Sequence, residues 1–191
     1  MGAATQPQRR KDASENRKAI LEAARELFAD STDVAMSTIA KRAGVGQATL
    51  YRNFPNRSAL AAEIIDEHFE RISALAAEHE GDPDAFFVIL RSLIDGLVSL
   101  YALAVLARSD AETDSHLQRA RQRMRDLLKG PLNDAKGAGL VRRDLAVDDV
   151  LLIMAMGRGA MEGLPDAAAR SAVAHRVLAL LMNGVEAPRR A

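Results

Sequence analysis

Four polar side chains lie close together at positions from which they could hydrogen-bond to DNA. They are Gln47, Thr49, Tyr51 and Arg52. A helix that buries Leu50 leaves all four free to point outwards. Side chains of these lengths reach base edges in the major groove and the phosphate oxygens beside it. The spacing therefore predicts a helix that contacts nucleic acid.

A tight turn and a preceding short helix are expected to position this run. Ile39, Ala40 and Ala43 form an apolar stripe at helical spacing. Ser37 is expected to cap the helix that carries them. Gly44 follows where the chain must reverse, and we expect a positive φ there, which glycine adopts without a Cβ clash. Two short helices joined in this way form a helix-turn-helix.

Longer helices are predicted on both sides of the motif. The first spans residues 14–29, with Ser14 as its cap, and carries apolar residues at helical spacing: Ile20, Ala24, Leu27 and Phe28. A long helix follows Pro55, with Asn56 or Ser58 as its cap, and carries Leu60, Ile64, His68, Ile72 and Leu75. Because a helix is rigid, the second one would carry movement between the motif and the rest of the chain.

Residues 1–13 form a polar, basic arm in this interpretation. Arg9, Arg10 and Lys11 lie in it, and it has no apolar periodicity. We therefore expect it to be flexible. Either it lies along DNA phosphates or a minor groove, or it is a solvated tail.

The composition limits the classes of protein that could carry such a motif. The 26 basic and 26 acidic residues cancel, but ten Lys and Arg stand against six Asp and Glu through Leu60. The rest of the chain is correspondingly acidic. There is no cysteine, which fits a reducing compartment. No apolar run approaches the roughly 20 residues that span a bilayer, and the N-terminus is not signal-like. We expect a soluble, cytoplasmic protein with no membrane partner.

Helical patterns continue beyond residue 79, so the predicted fold class is all-α. Helices are expected from Asp82 and Pro83 to about Ser109, over 115–129, from about Val147, and over 166–183, where Gly184 would end the last one. Gly130 and Pro131 would interrupt or kink the second of these. The first is apolar on several sides, so it must lie at the centre of its domain.

Two charged groups in this half of the chain are better explained by structure than by function. The first is the row Arg119, Arg121, Arg123 and Arg125, which invites a nucleic-acid interpretation. Nearby acidic residues favour an ordinary solvated face instead. The second is the pair Asp148 and Asp149, which could suggest acid-base chemistry or a metal. Their place in a first helical turn favours capping.

Three runs between Ala19 and Ile65 form a known pattern: AILEAARELFAD, STIAKRAGV and ATLYRNFPNRSALAAEII. In its A-G-V turn, its T-L-Y and its F-P-N-R-S-A-L continuation, this segment resembles the DNA-binding domain of the TetR family of bacterial transcriptional regulators. There are two departures. Residues 30–34 stand where members often have a Gly and an aromatic, and Gly46 replaces the usual Ser, which removes a hydroxyl that binds phosphate or caps the helix.

The resemblance implies DNA contacts at particular residues. Base contacts in the major groove are implied for Gln47, Ala48 and Thr49. Phosphate contacts are implied for Tyr51, Asn53 and Arg57, the last helped by a helix N-terminus. Ser37, Thr38 and Lys41 could also touch the DNA backbone. Packing of Tyr51 against Phe28, and a solvated face for Lys41 and Arg42, are the alternatives.

Apolar faces on the last two helices predict a dimer interface. Its expected residues are Val150, Ile153, Gly157, Val173, Val177, Leu180 and Leu181. Two such helix pairs would form a four-helix bundle across a twofold axis, as in the family. A dimer offers two recognition helices to successive major grooves, about 34 to 36 Å apart, so the operator would be a palindrome or pseudopalindrome.

The other apolar surface of the C-terminal half predicts a ligand pocket. Its expected residues are Phe86, Phe87, Leu90, Arg91, Ile94, Leu97, Tyr101, Met124, Leu128, Met154, Arg158 and Met161. The resemblance implies a repressor that binds double-stranded DNA and is released by a small, largely apolar molecule of unknown identity. The molecule would act by changing the spacing of the two DNA-binding domains of the dimer. An activator, or a regulator without a ligand, is the alternative.

These expectations define an all-α architecture with two functional parts. A three-helix helix-turn-helix domain, residues 14–60, is joined by a long helix to a larger ligand-binding and dimerisation domain, residues 61–191. A helical-bundle enzyme is a remote alternative, since none of the four histidines has Glu three residues before it. There is also no phosphate-binding loop or nucleophile signature. We expect no catalytic residue, no metal and no cofactor.

Overall fold

The computed structural model describes residues 6–31, 33–100, 103, 113–164 and 166–185. Within them the chain forms eight helices: α1 (Gln6–Asp30), α2 (Met36–Arg42), α3 (Gln47–Asn53), α4 (Arg57–Glu78), α5 (Ala85–Ser99), α6 (Thr113–Gly137), α7 (Val147–Ala160) and α8 (Ala167–Val185). The predicted all-α fold is confirmed. Among these described residues, no helix is long and apolar enough to cross a membrane.

The first helix begins earlier than the apolar pattern indicated. α1 starts at Gln6, so residues 6–13, which we expected to be flexible, are helical. Pro7 lies in the first turn, where its missing N–H costs no hydrogen bond, and the Gln, Arg and Lys residues at 8–11 are good helix formers. Apolar periodicity marks only the turns that pack, and polar turns can extend the same helix by propagation. Ser14 therefore lies inside α1 and does not cap it.

α2 and α3 form the predicted helix-turn-helix. Gly44 has a φ of 68° as expected, and the backbone N–H of Val45 donates to the carbonyl of Ala40 at 3.0 Å. The expected cap at Ser37 is wrong, because the buried Met36 already begins α2 and the residue before it makes no side-chain cap bond. Ser37 lies exposed in the first turn.

Two hydrophobic cores share α4. The first core packs α1, α2, α3 and the start of α4, which together we call the head, around residues such as Ile20, Phe28, Leu50 and Leu60. The second core packs the rest of α4 with α5 to α8, which we call the body. Leu103, from the chain beyond α5, also belongs to the first core. The body therefore contacts the head directly as well as through α4.

α5 lies at the centre of the body, as its apolar sequence predicted. It packs against α4, α6, α7 and α8. As described, it ends at Ser99, and residues 104–109 of the longer predicted helix lie outside the described residues.

Gly130 and Pro131, which were expected to interrupt or kink α6, do not interrupt it. α6 continues through both residues to Gly137. Proline removes one backbone hydrogen bond, and the buried side chains of Leu128 and Leu132 on either side of the pair hold the helix in the core. α8 likewise continues through Gly184, which was expected to end it.

Candidate DNA interface and effector cavity

The outward face of α3 carries the residues predicted to contact bases. Gln47 and Ala48 are exposed, Thr49 is half-buried, and Leu50 is fully buried in the head core. The turn at Gly44 and the burial of Leu50 therefore fix which side of α3 faces away from the protein.

Arg52 lies back along the same face of α3. Its Nε donates to the carbonyl of Ala48 at 3.0 Å, and its Nη2 donates to the hydroxyl of Thr49 at 3.3 Å. These bonds hold an exposed guanidinium beside the side chains predicted to contact bases. The sequence placed Arg52 among the outward-facing side chains that could reach DNA, but the resemblance assigned it neither a base nor a phosphate. Its spacing of three and four residues from Thr49 and Ala48 puts all three on one helix face.

The residues predicted to contact phosphate border this face. Ser37, Thr38 and Lys41 are exposed on α2. Tyr51 is 49% exposed, so about half of its surface faces solvent beside the residues predicted to contact bases. Arg42, in contrast, pairs with Glu26 of α1 at 2.5 Å.

Two of the predicted phosphate contacts are already fixed by bonds within the head. The amide nitrogen of Asn53 donates to the carbonyl of Thr49 at 2.8 Å. Arg57 donates to the carboxylate of Asp33 at 3.3 Å and to the carbonyl of Val34 at 3.4 Å. Asn56 caps the N-terminus of α4, as predicted, because its side chain accepts from the backbone N–H of Ala59 at 2.7 Å.

Charged side chains fasten α4 to both parts of the molecule. Two ion pairs join it to α1, Arg17 with Glu63 and Arg25 with Glu67. On its other side, the carboxylate of Asp66 accepts a hydrogen bond from Arg123 of α6 at 2.5 Å. A displacement of α4 in the body would therefore also move the helices of the head.

A cavity of about 140 Å³ lies between α4, α5, α6 and α7. Its apolar lining consists of Ile65, Phe69, Leu93, Gly96, Leu100, Ala120, Met124, Leu151, Met154 and Ala155. The polar side chains in its described lining are His68, Arg121 and Arg158, and no Asp or Glu is among them. An apolar cavity of about 150 Å³ is known to hold a benzene molecule. The site is therefore large enough for a compact ligand and is basic in its polar part.

His68 is the residue through which α4 presents a polar group to the cavity. Its ring packs against Gly96 of α5, where a Cβ would overlap the imidazole. Burial, with a smaller effect from the charge of Arg71, lowers the pKa of His68 to about 4, so the ring is neutral at pH 7. Arg71 lies 3.4 Å from Nδ1 and can only donate, which favours the tautomer that carries the ring proton on Nε2, the nitrogen nearest Gly96.

The row of arginines on α6 has mainly a structural use. Arg123 pairs with Asp66 of α4, and Arg125 pairs with Asp148 of α7 at 2.9 Å. Arg121 differs from both, because it lines the cavity and has no carboxylate partner in the described part of the chain. The row therefore holds α6 against its neighbours and leaves one cation at the cavity.

The adjacent aspartates of α7 both make contacts at the start of the helix, and Asp149 caps it as predicted. The carboxylate of Asp149 accepts from the backbone N–H of Ala146 at 2.7 Å. Asp148 makes the ion pair with Arg125 described above. Neither contact resembles a metal site, and the described residues contain no cluster of three or more possible metal ligands.

A wider groove of about 610 Å³ lies along α7 and α8. Its lining includes five of the residues predicted for the dimer interface, namely Ile153, Gly157, Val177, Leu180 and Leu181. Gly157 lets the two helices approach closely, since a Cβ there would lie 3.1 Å from the Cγ1 of Val177. Met156 and Leu180 are 66% and 55% exposed, so this apolar face is open in the single chain.

The remaining two predicted interface residues belong to the core of the body. Val150 is fully buried, and Val173 is partly buried against the same core. α7 and α8 each have a second apolar face that packs inwards. The sequence showed that both faces were apolar but not which residues belonged to which face.

The predicted ligand pocket needs a larger correction. Of its residues, the cavity contains Met124, Met154 and Arg158. The close-packed core instead contains Phe86, Leu90, Ile94, Leu128 and Met161, with Phe87 packed against it. Arg91 is exposed, and the side chain of Leu97 and all of Tyr101 lie outside the described residues. Helical periodicity identifies a buried face but not the helix that packs on it, so the contribution of α4, with His68, was missed.

Family comparisons define the class of protein to which this fold and site belong. The family described as bacterial regulatory proteins, tetR family, matches residues 20–64. The C-terminal domain of SbtR-like transcriptional regulators matches residues 82–187. The chain therefore belongs to the TetR family of bacterial transcriptional regulators, which confirms the resemblance seen in the sequence. The proteins of this family that match are transcriptional regulators and not enzymes.

Curated relatives match part of the chain. An HTH-type transcriptional regulator from Staphylococcus aureus (strain USA300) is 40% identical over 72 residues, which are 33% of this chain and 39% of the relative. Another, from the bovine strain RF122 / ET3-1, is 32% identical over 91 residues, or 47% of this chain and 49% of the relative. The chain thus spans about two fifths of the first relative's length and about half of the second's.

Solved structures match nearly the whole chain. A TetR regulatory protein from Mycobacterium vanbaalenii is 27% identical, with a TM-score of 0.67, and the match covers 93% of this chain and 98% of that one. SCO0520 from Streptomyces coelicolor is 27% identical, with a TM-score of 0.68 and coverage of 91% and 99%. FadR from Bacillus subtilis, solved in complex with stearoyl-CoA, is 20% identical, with a TM-score of 0.61 and coverage of 88% and 99%, and shows the shared fold alone.

Proposed function

We propose that this regulator is a homodimeric repressor that binds a palindromic or pseudopalindromic operator and is released from it by a small effector. The observation that carries the proposal is that α4 belongs to both cores, with the helix-turn-helix at its N-terminal end and His68, about halfway along it, in the effector cavity. Within the chain, residues 14–60 are the DNA-binding domain and residues 61–191 the ligand-binding and dimerisation domain. The regulator acts in the cytoplasm, where bacterial DNA lies.

The base contacts are made by Gln47, Ala48 and Thr49, together with Arg52. Their common exposed face on α3, and the two bonds that hold Arg52 over it, support this assignment. Arginine makes the commonest specific contact with guanine, through O6 and N7. The phosphate contacts are made by Ser37, Thr38, Lys41, Tyr51, Asn53 and Arg57. Because Arg57 is also bonded to Asp33, it fixes the loop before α2 as well as binding phosphate.

The groove along α7 and α8 is covered by the same groove of a second copy. Its exposed Met156 and Leu180 support this, because a large apolar face of this kind costs free energy while it faces water. A twofold interface uses the same patch on both subunits. It would place two recognition helices at successive major grooves, about 34 to 36 Å apart.

An effector in the cavity acts on α4. It touches His68, whose ring packs against Gly96, and it lies beside Ile65 and Phe69 of the same helix. A ligand that binds better when α4 is displaced shifts the population towards dimers whose heads do not match the operator. FadR, which shares this fold, was solved in complex with stearoyl-CoA, which supports the general point that this fold can hold a small molecule.

Sequencing of the genomic fragments retained by the purified protein tests the proposal. We expect an inverted repeat whose half-sites are centred about 10 base pairs apart, or a multiple of that spacing, and overlap a promoter. Transcription from that promoter in a purified system should fall when the protein is added. A single unrepeated site would contradict the dimer, and increased transcription would favour the activator alternative.

A further inference from the structure

We infer that the effector is a compact, largely apolar molecule with one anionic group, of the class of small aromatic or branched aliphatic carboxylates. The inference rests on the proposed role of the cavity between α4, α5, α6 and α7 as the effector site. It adds the chemistry of the ligand, which the lining residues determine.

The polar side chains in the described lining offer a ligand donors but no free acceptor. Arg121 and Arg158 are cations without an acceptor atom. The Nδ1 of His68 faces Arg71 at 3.4 Å and its Nε2 packs against Gly96, so the ring offers no free acceptor either. A carboxylate satisfies such a set, because its two oxygens only accept and the bonds are charge-assisted. A cationic ligand would be repelled, and a ligand with only donors would leave these groups unpaired.

Arg121 is the residue that binds the anionic group. Its neighbours Arg123 and Arg125 are each occupied by a carboxylate of another helix, whereas Arg121 has no such partner among the side chains that the structure describes, which exclude those of residues 104–117. It is exposed, so water solvates its charge until a ligand enters. Arg158 already has a partner of its own and contributes positive charge from the α7 side.

The rest of the lining selects a small apolar body. The cavity holds about 140 Å³, which suits a single ring or a short branched chain rather than a long acyl group. Met124 and Met154 are flexible side chains that adjust to the outline of such a ligand. The charged end and the apolar end of the ligand are thus recognised by different parts of one cavity.

Isothermal titration calorimetry with matched acid and amide pairs tests the inference on the full chain. The probes are benzoate and benzamide, phenylacetate and phenylacetamide, and isovalerate and isovaleramide, each titrated to about 10 mM, a range that detects millimolar affinity. We expect at least one carboxylate to bind, about tenfold or more tightly than its amide, since charge-assisted bonds are the stronger ones. The amide has the same shape, so the comparison isolates the charge.

Variants of α6 locate the charge preference. Arg121→Gln should abolish the difference between acid and amide. Arg119→Gln is the matched control, because it removes an exposed arginine of the same helix that does not line the cavity, and it should keep the difference. Both positions are exposed, so both variants should unfold at the wild-type temperature.

Three results would overturn the inference: no carboxylate bound over this range, equal affinity for acid and amide, or a preference that survives in Arg121→Gln. Operator binding is measured in a separate titration. If the chain bound carboxylates but no operator, or kept its operator when they bound, the proposed function would fail and the ligand class would stand. If it bound its operator but none of these acids, the ligand class alone would fail.

Discussion

The imidazole of His68 lies so close to Gly96 that a Cβ on the glycine would overlap Nε2. His68 belongs to α4, which enters the head core, and Gly96 belongs to α5, the central helix of the body. The effector cavity borders both residues. A change in the packing of the body at this contact would therefore move α4, the helix that enters the head core.

Replacing Gly96 with Ala should weaken operator binding without changing the preferred bases. The added methyl group must displace the ring of His68 or α4 itself, and overpacking of this kind costs about 1–3 kcal/mol. We expect operator affinity to fall about tenfold if part of that cost is relieved by moving α4. Fluorescence anisotropy with the operator and with single-base variants of it measures both quantities.

The matched control for this substitution is Gly159→Ala on α7, where a Cβ would have no atom within 4 Å. It should bind the operator as the wild type does. The double variant Gly96→Ala with His68→Ala removes the clashing ring and should recover much of the lost affinity. Without that recovery, the contact between His68 and Gly96 would not explain the effect.

The sequence predicted best those features that depend on neighbours along the chain. Gly44 has the expected positive φ, and Asn56 caps α4 through the backbone N–H of Ala59. Asp149 likewise bonds at the first turn of α7. Each of these depends on a few consecutive residues, so the residue type and its place in the pattern were sufficient.

Features that depend on packing between distant segments were not predictable in the same way. The contact between His68 and Gly96 joins α4 to α5, and helical periodicity does not state which helices meet. For the same reason Phe86 was expected in the pocket and is in the core, whereas Arg121 lines the cavity. Pro131 was expected to interrupt α6, but the burial of its neighbours outweighs the lost bond.

Replacing Gln47 or Arg52 with Ala should relax base preference at one operator position each. A lost base contact costs about 1–3 kcal/mol at that position and leaves the other positions unchanged. For Arg52 the relaxed position should be a guanine. Selection of binding sites from random DNA, followed by affinity measurements, tests this.

Tyr51→Phe is the contrasting variant for these two. It removes only a hydroxyl from an exposed phosphate contact, so affinity should fall by a similar factor for every sequence. If Arg52→Ala gave that uniform loss instead, Arg52 would be a phosphate contact.

His68 should make the free energy of unfolding fall between pH 6.5 and pH 4. Its pKa is lowered from 6.5 to about 4 in the folded chain, first by burial and second by Arg71. The unfolded chain therefore binds more protons in this interval, so stability is full above pH 6.5 and is lost as the pH falls. We expect about 1 kcal/mol of loss at pH 5, after allowance for solvent screening of a half-buried ring.

Urea unfolding at pH 7 and pH 5 measures this contribution of His68. His68→Gln should lose less stability than the wild type between the two pH values. His175→Gln, at an exposed position on α8, is the control and should behave as the wild type. Equal losses in the wild type and in His68→Gln would assign the pH dependence to other groups.

Replacing Leu180 with Glu should convert the dimer to monomers. Leu180 is 55% exposed in the single chain and lines the groove along α7 and α8, so in the proposed interface the new carboxylate would be buried. Operator binding should become weak and strongly salt-dependent, because a single head keeps only one set of phosphate contacts. Sedimentation velocity measures the assembly, and Ala179→Glu is the control, since that residue is exposed but does not line the groove. If Leu180→Glu still sedimented as a dimer, the two subunits would have to meet on another face.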